Sequence, residues 1–211
     1  MAHKSLMAII FVLCFAVYAL PADSADNAHR LFLSGSEESQ VVIEVFSDFQ
    51  CPACGYFFKN VTTQVLENYK DRVGVAYYEF PLRTHKHARP ASRYVTAVGR
   101  LGDQKKLVAV CDAIFANQDK LEENGGLEAS VFAVLSPEDL LKVKTMIVDD
   151  LDSIDRDIES GMLEGIERKI RGTPAIFLKS TGKLDEFIMP QDGREWYKLL
   201  SMRLDALLKK Q

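Results

Sequence analysis

The chain has 211 residues, 47% of them hydrophobic and 27% charged, with a formal net charge of −4. That is apolar material for one domain, or for one domain carrying an insertion. It offers no basic field of the kind that nucleic acid recognises, so the mild acidity is read as solubility.

Residues 1–25 read as a secretory signal peptide. Lys4 supplies a short positive start, residues 6–20 are uncharged and almost wholly apolar, and Pro21-Ala22-Asp23-Ser24-Ala25 holds small residues. The apolar run falls short of the roughly 20 residues that span a bilayer. Cleavage after Ser24 or Ala25 is therefore preferred over an uncleaved membrane anchor. Cys14 is discarded with the leader, because Leu13 is not the small residue that a lipoprotein signal wants. The mature chain, residues 26–211, keeps Cys51, Cys54 and Cys111. An exported protein lives where disulfides persist, yet three cysteines are too few for a disulfide scaffold.

Residues 28–33 hold a short strand or helix. The β-branched run 40–46 reads as a buried strand. A helix starts at the cysteine pair and runs to about Tyr69, and residues 73–80 form a second strand ending at Pro81. Strand, helix and strand make a βαβ unit with a parallel pair. The middle is helical: residues 88–100 and 105–116, separated by Gly102, then a loop at Asn124-Gly125-Gly126. Ser136 caps a helix that has Pro137 in its first turn. A further helix covers 152–169, with Ile154, Ile158, Met162 and Ile166 in register. Residues 175–178 and 184–188 form a hairpin about a turn at 180–183, and a last amphipathic helix runs from Gly193 to near Lys210. The plan is α/β, β-α-β then helices then β-β-α. It is one sheet domain interrupted at about 85–170 by a helical insertion.

The run Phe49-Gln50-Cys51-Pro52-Ala53-Cys54 carries the chemistry. Pro52 suits the first helical position, where its missing N–H would have no partner. Cys51 then sits at the helix mouth, where free N–H groups and the positive end of the helix dipole favour a thiolate. Cys54, one turn on, shares the apolar stripe of Phe58, Val61 and Val65. Cys54 is expected buried and Cys51 exposed, the asymmetry that a two-cysteine redox centre needs. The plainer alternatives are a structural disulfide or half of a zinc site. Zinc wants four ligands, and beyond the pair only Cys111, His29, His85 and His87 remain. His85-Lys86-His87 reads as a solvated loop edge, and no metal is expected. Cys111 shares a helix face with Leu107 and Ile114 and reads as a small buried hydrophobe.

Three runs resemble the DsbA-like branch of the thioredoxin superfamily. They are Phe46-Ser47-Asp48-Phe49-Gln50-Cys51-Pro52-Ala53-Cys54, then Glu79-Phe80-Pro81-Leu82 with His85, His87 and Ala88 and the segment Asp112 to Gln118, and finally Gly172-Thr173-Pro174. The resemblance implies a thioredoxin fold with an inserted helical domain. It implies that Pro174 is cis and lies against Cys51, leaving the Thr173 backbone to pair with an extended substrate segment. It implies no cofactor, cysteine-containing exported proteins as substrates, a membrane quinone-linked redox partner and a monomer in the periplasm. Three features depart from the family pattern, the least central being Asp103-Gln104-Lys105-Lys106, where the family often has an aromatic-rich helix start. The acid six residues ahead of the first cysteine is replaced by Val45, while Glu44 points to the other face of its strand. Ala53 stands where strong oxidants of the family have histidine, so the thiolate loses a donor and the disulfide becomes less oxidising. Oxidation of exported proteins is the first reading. A reductase or isomerase in the same compartment is the second, and a non-catalytic binding module with a structural disulfide is the third.

Overall fold

The computed structural model describes residues 29–181, 185–189 and 192–209. The expected leader, with Cys14, lies outside them, as do residues 182–184 of the expected hairpin. Among the described residues no helix is long and apolar enough to cross a membrane.

Five strands form one mixed sheet: β1 (Leu31–Ser34), β2 (Val41–Ser47), β3 (Gly74–Glu79), β4 (Ala175–Ser180) and β5 (Glu186–Ile188). Their order is β1-β3-β2-β4-β5. β2 and β3 are parallel, and the other pairings are antiparallel. All seven residues of β2 are buried, as its central place and its β-branched composition require. Ile43 and Val45 face the main core with Cys51 and Cys54. Phe46 faces a smaller cluster with Tyr78, Phe80 and Ala175. Glu44 alternates with Val45 and shares the Phe46 face, as its position in the strand dictates.

The helix after Cys51 is built in three parts: α1 (Pro52–Phe57), a π-helical turn (Phe58–Thr62) and α2 (Thr63–Asn68). An uninterrupted α-helix was expected here. The wider turn begins where two adjacent rings, Phe57 and Phe58, are both buried. Phe57 meets Trp196 edge-on at 5.3 Å, and Phe58 meets Phe115 at 5.0 Å.

The inserted helices are α3 (Ala88–Gly99), α4 (Gln104–Ala116), α5 (Gly126–Phe132), α6 (Pro137–Asp149) and α7 (Leu151–Glu167). Asp103 caps α4, and the Ser136 hydroxyl caps α6. The helix α5 was not anticipated. Its seven residues follow Gly125, whose φ of +77° glycine tolerates. The α7 stripe also ends sooner than its periodicity implies: Ile154 and Ile158 are fully buried, whereas Ile166 is 58% exposed. Here Gly161 and Gly165 face inward instead, and they let α7 lie close on Glu79 and Phe80. A 3-10 turn (Gly193–Glu195) precedes α8 (Trp196–Leu208), where a single helix was expected.

Candidate active site

The carboxyl ends of β2 and β3, the amino end of α1 and the loop before β4 converge on one spot. Cys51 is the residue before α1, with extended φ/ψ of −76° and 119°, and Pro52 occupies the first helical position. The Cys51 carbonyl accepts from Cys54 N–H at 3.0 Å and Gly55 N–H at 3.1 Å. Pro52 and Ala53 form the exposed outer turn, whereas Cys54 turns inward.

Because β4 pairs with β2 in the register Phe46↔Ala175, the residues just before β4 lie beside the cysteines. The Thr173–Pro174 peptide is cis. The Cys51 thiol donates to the Thr173 carbonyl at 3.4 Å. This contact corrects one expectation. Cys51 is only 7% exposed, not open at the helix mouth, because the Thr173–Pro174 loop covers its sulfur. Cys54 is 1% exposed.

The asymmetry between the thiols is therefore electrostatic more than steric. The Cys54 side chain, hydrogen-bonded to Cys51, draws the Cys51 thiol down to about 5 against the opposing effect of burial. Thr173 and the N–H groups of Cys54 and Ala53 act in the same direction. The Thr173 hydroxyl is buried with no other hydrogen-bond partner, so it is available once the Cys51 proton leaves. Burial pushes the Cys54 thiol far up, and the neighbouring Cys51 pushes it further. The pair is thus poised for Cys51 to give up its proton first while Cys54 keeps its own. Cys51, Cys54 and Cys111 are all free thiols.

Cys111 is wholly buried in α4, and burial raises its thiol well above the usual range. Tyr77 and Glu79 lie on the same sheet face. The Tyr77 hydroxyl is 2.9 Å from Thr62 Oγ1 and is charge-coupled to Cys111, Cys54 and Glu79. Glu44 lies behind the sheet. It pairs with Arg168 at 2.6 Å and accepts from Tyr78 at 3.2 Å, away from both thiols.

Several side chains that hold this site were not singled out from sequence. Asp48, fully buried, accepts the Gln50 and Cys51 N–H groups. His85 was read as a loop edge, but its Nδ1 lies 2.9 Å from Asp48 Oδ2. Gln118, in the 3-10 turn after α4, donates to the carbonyls of Phe49 and Cys51, both at 2.9 Å. Gln50 accepts the His87 N–H at 2.8 Å. Such partners are close only in the fold. The hint available earlier was that Asp48, His85 and Gln118 each fall inside a run carrying the family likeness. Among the described residues, no group of three or more His, Cys, Asp and Glu side chains could hold a metal ion.

Beside Thr173 and Pro174 a groove of about 610 Å³ runs over Ile170, Phe177, Phe187 and Met189. Phe187 and Met189 are 47% and 66% exposed.

A family model described as thioredoxin matches residues 28–196. Solved structures that share the fold include the following three. The thiol-disulfide exchange protein alpha-DsbA2 from Wolbachia pipientis is 21% identical, with 86% of this chain and 88% of that chain covered at a TM-score of 0.66. BdbD from Bacillus subtilis is 16% identical, with 88% and 95% covered at 0.63. The catalytic domain of ScsC from Proteus mirabilis is 22% identical, with 90% and 93% covered at 0.62. No curated protein matches the sequence.

Proposed function

Because the chain belongs to the thioredoxin family, we propose that it exchanges thiols and disulfides through Cys51 and Cys54, oxidising cysteine-containing proteins outside the cytoplasm. The observation that carries this reading is two free cysteines in one helical turn, Cys51 at the start of α1 with the Thr173 carbonyl 3.4 Å from its sulfur and Cys54 turned into the core, an arrangement that draws the first thiol down and pushes the second up.

The Cys51–Cys54 disulfide is the oxidising form. A substrate thiolate attacks the Cys51 sulfur, the Cys51–Cys54 bond breaks, and Cys54 leaves and takes a proton. A second substrate thiolate then attacks the substrate sulfur of the mixed disulfide and expels Cys51 as a thiolate. Two electrons pass from substrate to the cysteine pair. An acidic Cys51 is a good leaving group, and stabilising it in the dithiol raises the oxidising power of the disulfide. Thr173 offers a backbone edge beside the sulfur, and the groove over Phe177 and Phe187 receives apolar residues flanking the substrate cysteine. Reoxidation falls to a membrane redox partner. The amino-terminal run 1–25, read as an export leader, supports a periplasmic location.

A second reading has its own observation. The side chain of Ala53, exposed beside Cys51, supplies no charge or donor to the thiolate, which receives from that residue only its backbone N–H. That favours a more reducing pair, hence a reductase or isomerase. Two measurements decide. Alkylation of Cys51 by iodoacetamide is expected to rise with a midpoint near pH 5. A midpoint near the free-thiol value of roughly 8.5 removes the exchange reading and leaves a binding module. Equilibration with glutathione is expected to give a potential above roughly −180 mV. A value near about −270 mV, typical of reductants, overturns the oxidase in favour of the reductase.

A further inference from the structure

Asp48 places a buried carboxylate on the amide of Cys51, the residue whose sulfur is to become a thiolate, and a negative charge held there opposes that thiolate. Its carboxylate is fully buried and takes four donors. Oδ1 accepts from Gln50 N–H at 2.7 Å and Cys51 N–H at 3.0 Å. Oδ2 accepts from Leu82 N–H at 2.7 Å and lies 2.9 Å from His85 Nδ1. Three of the donors are neutral backbone groups, and the fourth sits on a ring that can carry a proton charge. The outer turn Pro52-Ala53 brings no cation of its own.

We propose that His85 is a positioning residue of the redox centre, which through Asp48 anchors the Cys51 amide and, when protonated, offsets the carboxylate charge against which the Cys51 thiolate forms. The inference rests on the exchange reading above and deepens it by making the Cys51 thiolate and the His85 charge mutually dependent. Coupling of this kind is reciprocal. If charge on His85 favours the thiolate, reduction of the disulfide, which creates the thiolate, draws a proton onto His85.

The surroundings leave Asp48 as the partner that matters. His85 opens on a groove shared with Arg83 and Lys86 of its own turn, Arg89 of α3 and Glu159 of α7. Arg83 and Lys86 oppose a charge on the ring. Glu159 is engaged by Arg89 at 3.4 Å. Glu79, on β3, is charge-coupled to Asp48. Among the described residues Asp48 is the carboxylate in an ion-pair contact with His85.

The test begins with the unmodified protein. Titration of the His85 ring by NMR is expected to give a higher midpoint in the dithiol form than in the disulfide form. Equal midpoints in the two forms overturn the proposal. The variants follow. His85→Ala is expected to raise the midpoint of Cys51 alkylation enough to lower the thiolate fraction threefold to tenfold at pH values below it. His85→Gln, which keeps a donor without charge, is expected to recover thermal stability but not the midpoint. Asp48→Asn is expected to lower the midpoint and to abolish the further effect of His85→Ala in the double variant. An unmoved midpoint in His85→Ala, with or without a loss of stability, reduces His85 to a structural contact and overturns the proposal. A wild-type Cys51 that alkylates like a free thiol is a separate outcome, and it removes the exchange reading itself.

Discussion

Glu79→Gln tests the buried polar layer behind the cysteines. Glu79 ends β3 at 4% exposure, with the Ser92 hydroxyl donating to its Oε2 at 2.5 Å. Burial pushes this carboxyl from 4.5 up to about 8. In the unfolded chain it titrates near about 4.3. Between those two pH values the folded chain holds one proton more than the unfolded chain, so the free energy of unfolding falls as pH rises. The stability tied to the protonated carboxyl is complete below the lower value and is lost as pH passes the upper one. At ~1.4 kcal/mol per pH unit the loss amounts to at most about 5 kcal/mol. Glutamine keeps the size and an oxygen for Ser92 but cannot ionise. The variant is expected to match the wild type near pH 4.5 and to exceed it at pH 8.5 by several kcal/mol. Urea unfolding of the dithiol form, followed by the single tryptophan, Trp196, reads this directly. With a slope of about 2 kcal/mol per molar urea, the midpoint should rise by roughly 1–2 M at pH 8.5. A variant that is equally or less stable at pH 8.5, or one shifted identically at both pH values, refutes the reasoning.

Glu44→Gln should leave thiol exchange at Cys54 within about twofold of wild type, because its charge lies across the sheet, while stability falls by about 1–3 kcal/mol as Arg168 loses a buried partner; a large loss of rate would refute the face assignment. A Cβ on Gly55 would sit 2.3 Å from Gln118 Oε1. Gly55→Ala and Gln118→Ala should therefore each cost about 1–2 kcal/mol by chemical denaturation, and the double variant should cost less than their sum. In the folded dithiol protein, iodoacetamide should modify Cys51 and leave Cys111 intact by peptide mass spectrometry, because burial keeps that thiol protonated. Cys111→Ser should cost about 1–3 kcal/mol for the buried hydroxyl without moving the Cys51 alkylation profile.

What the sequence shows well is whatever repeats locally. The β-branched run of β2, the Ser136-Pro137 start of α6 and Pro52 after Cys51 each state a conformation within a few residues, and each is found where its pattern puts it. The cysteine pair on a helix start is legible for the same reason. Local patterns miss partners that meet only across the fold. His85 reads alone as a loop edge, and Asp48 and Gln118 stand in separate runs of family likeness with nothing in either run to say that they meet at the cysteine loop. The covering of Cys51 depends on β4 bringing Thr173 alongside β2, which the helix mouth alone does not reveal. The π-helical turn at Phe58 escapes a period count, because the apolar stripe of Phe58, Val61 and Val65 keeps a helical spacing through it. Ile166 errs the opposite way: it keeps the period of a buried stripe after the glycines of α7 have taken over the contact with the sheet.

The strand order also has a consequence for how the chain is made. β1, β2 and β3 lie together in the amino-terminal part of the described chain, whereas β4 and β5 come only after all the inserted helices. One side of β2 therefore waits for Ala175–Ser180 before its hydrogen bonds close. Until then β2, buried along its whole length in the finished sheet, is an edge, adhesive to any other strand it meets. During that interval the Thr173 loop is not yet seated on Cys51, and three thiols stand in an unfinished core. Non-local closure of this kind is slow. A nascent or truncated chain that stops short of Ala175 is expected to behave as a sticky, thiol-bearing intermediate, and the last strands to be synthesised both complete the sheet and retire that hazard.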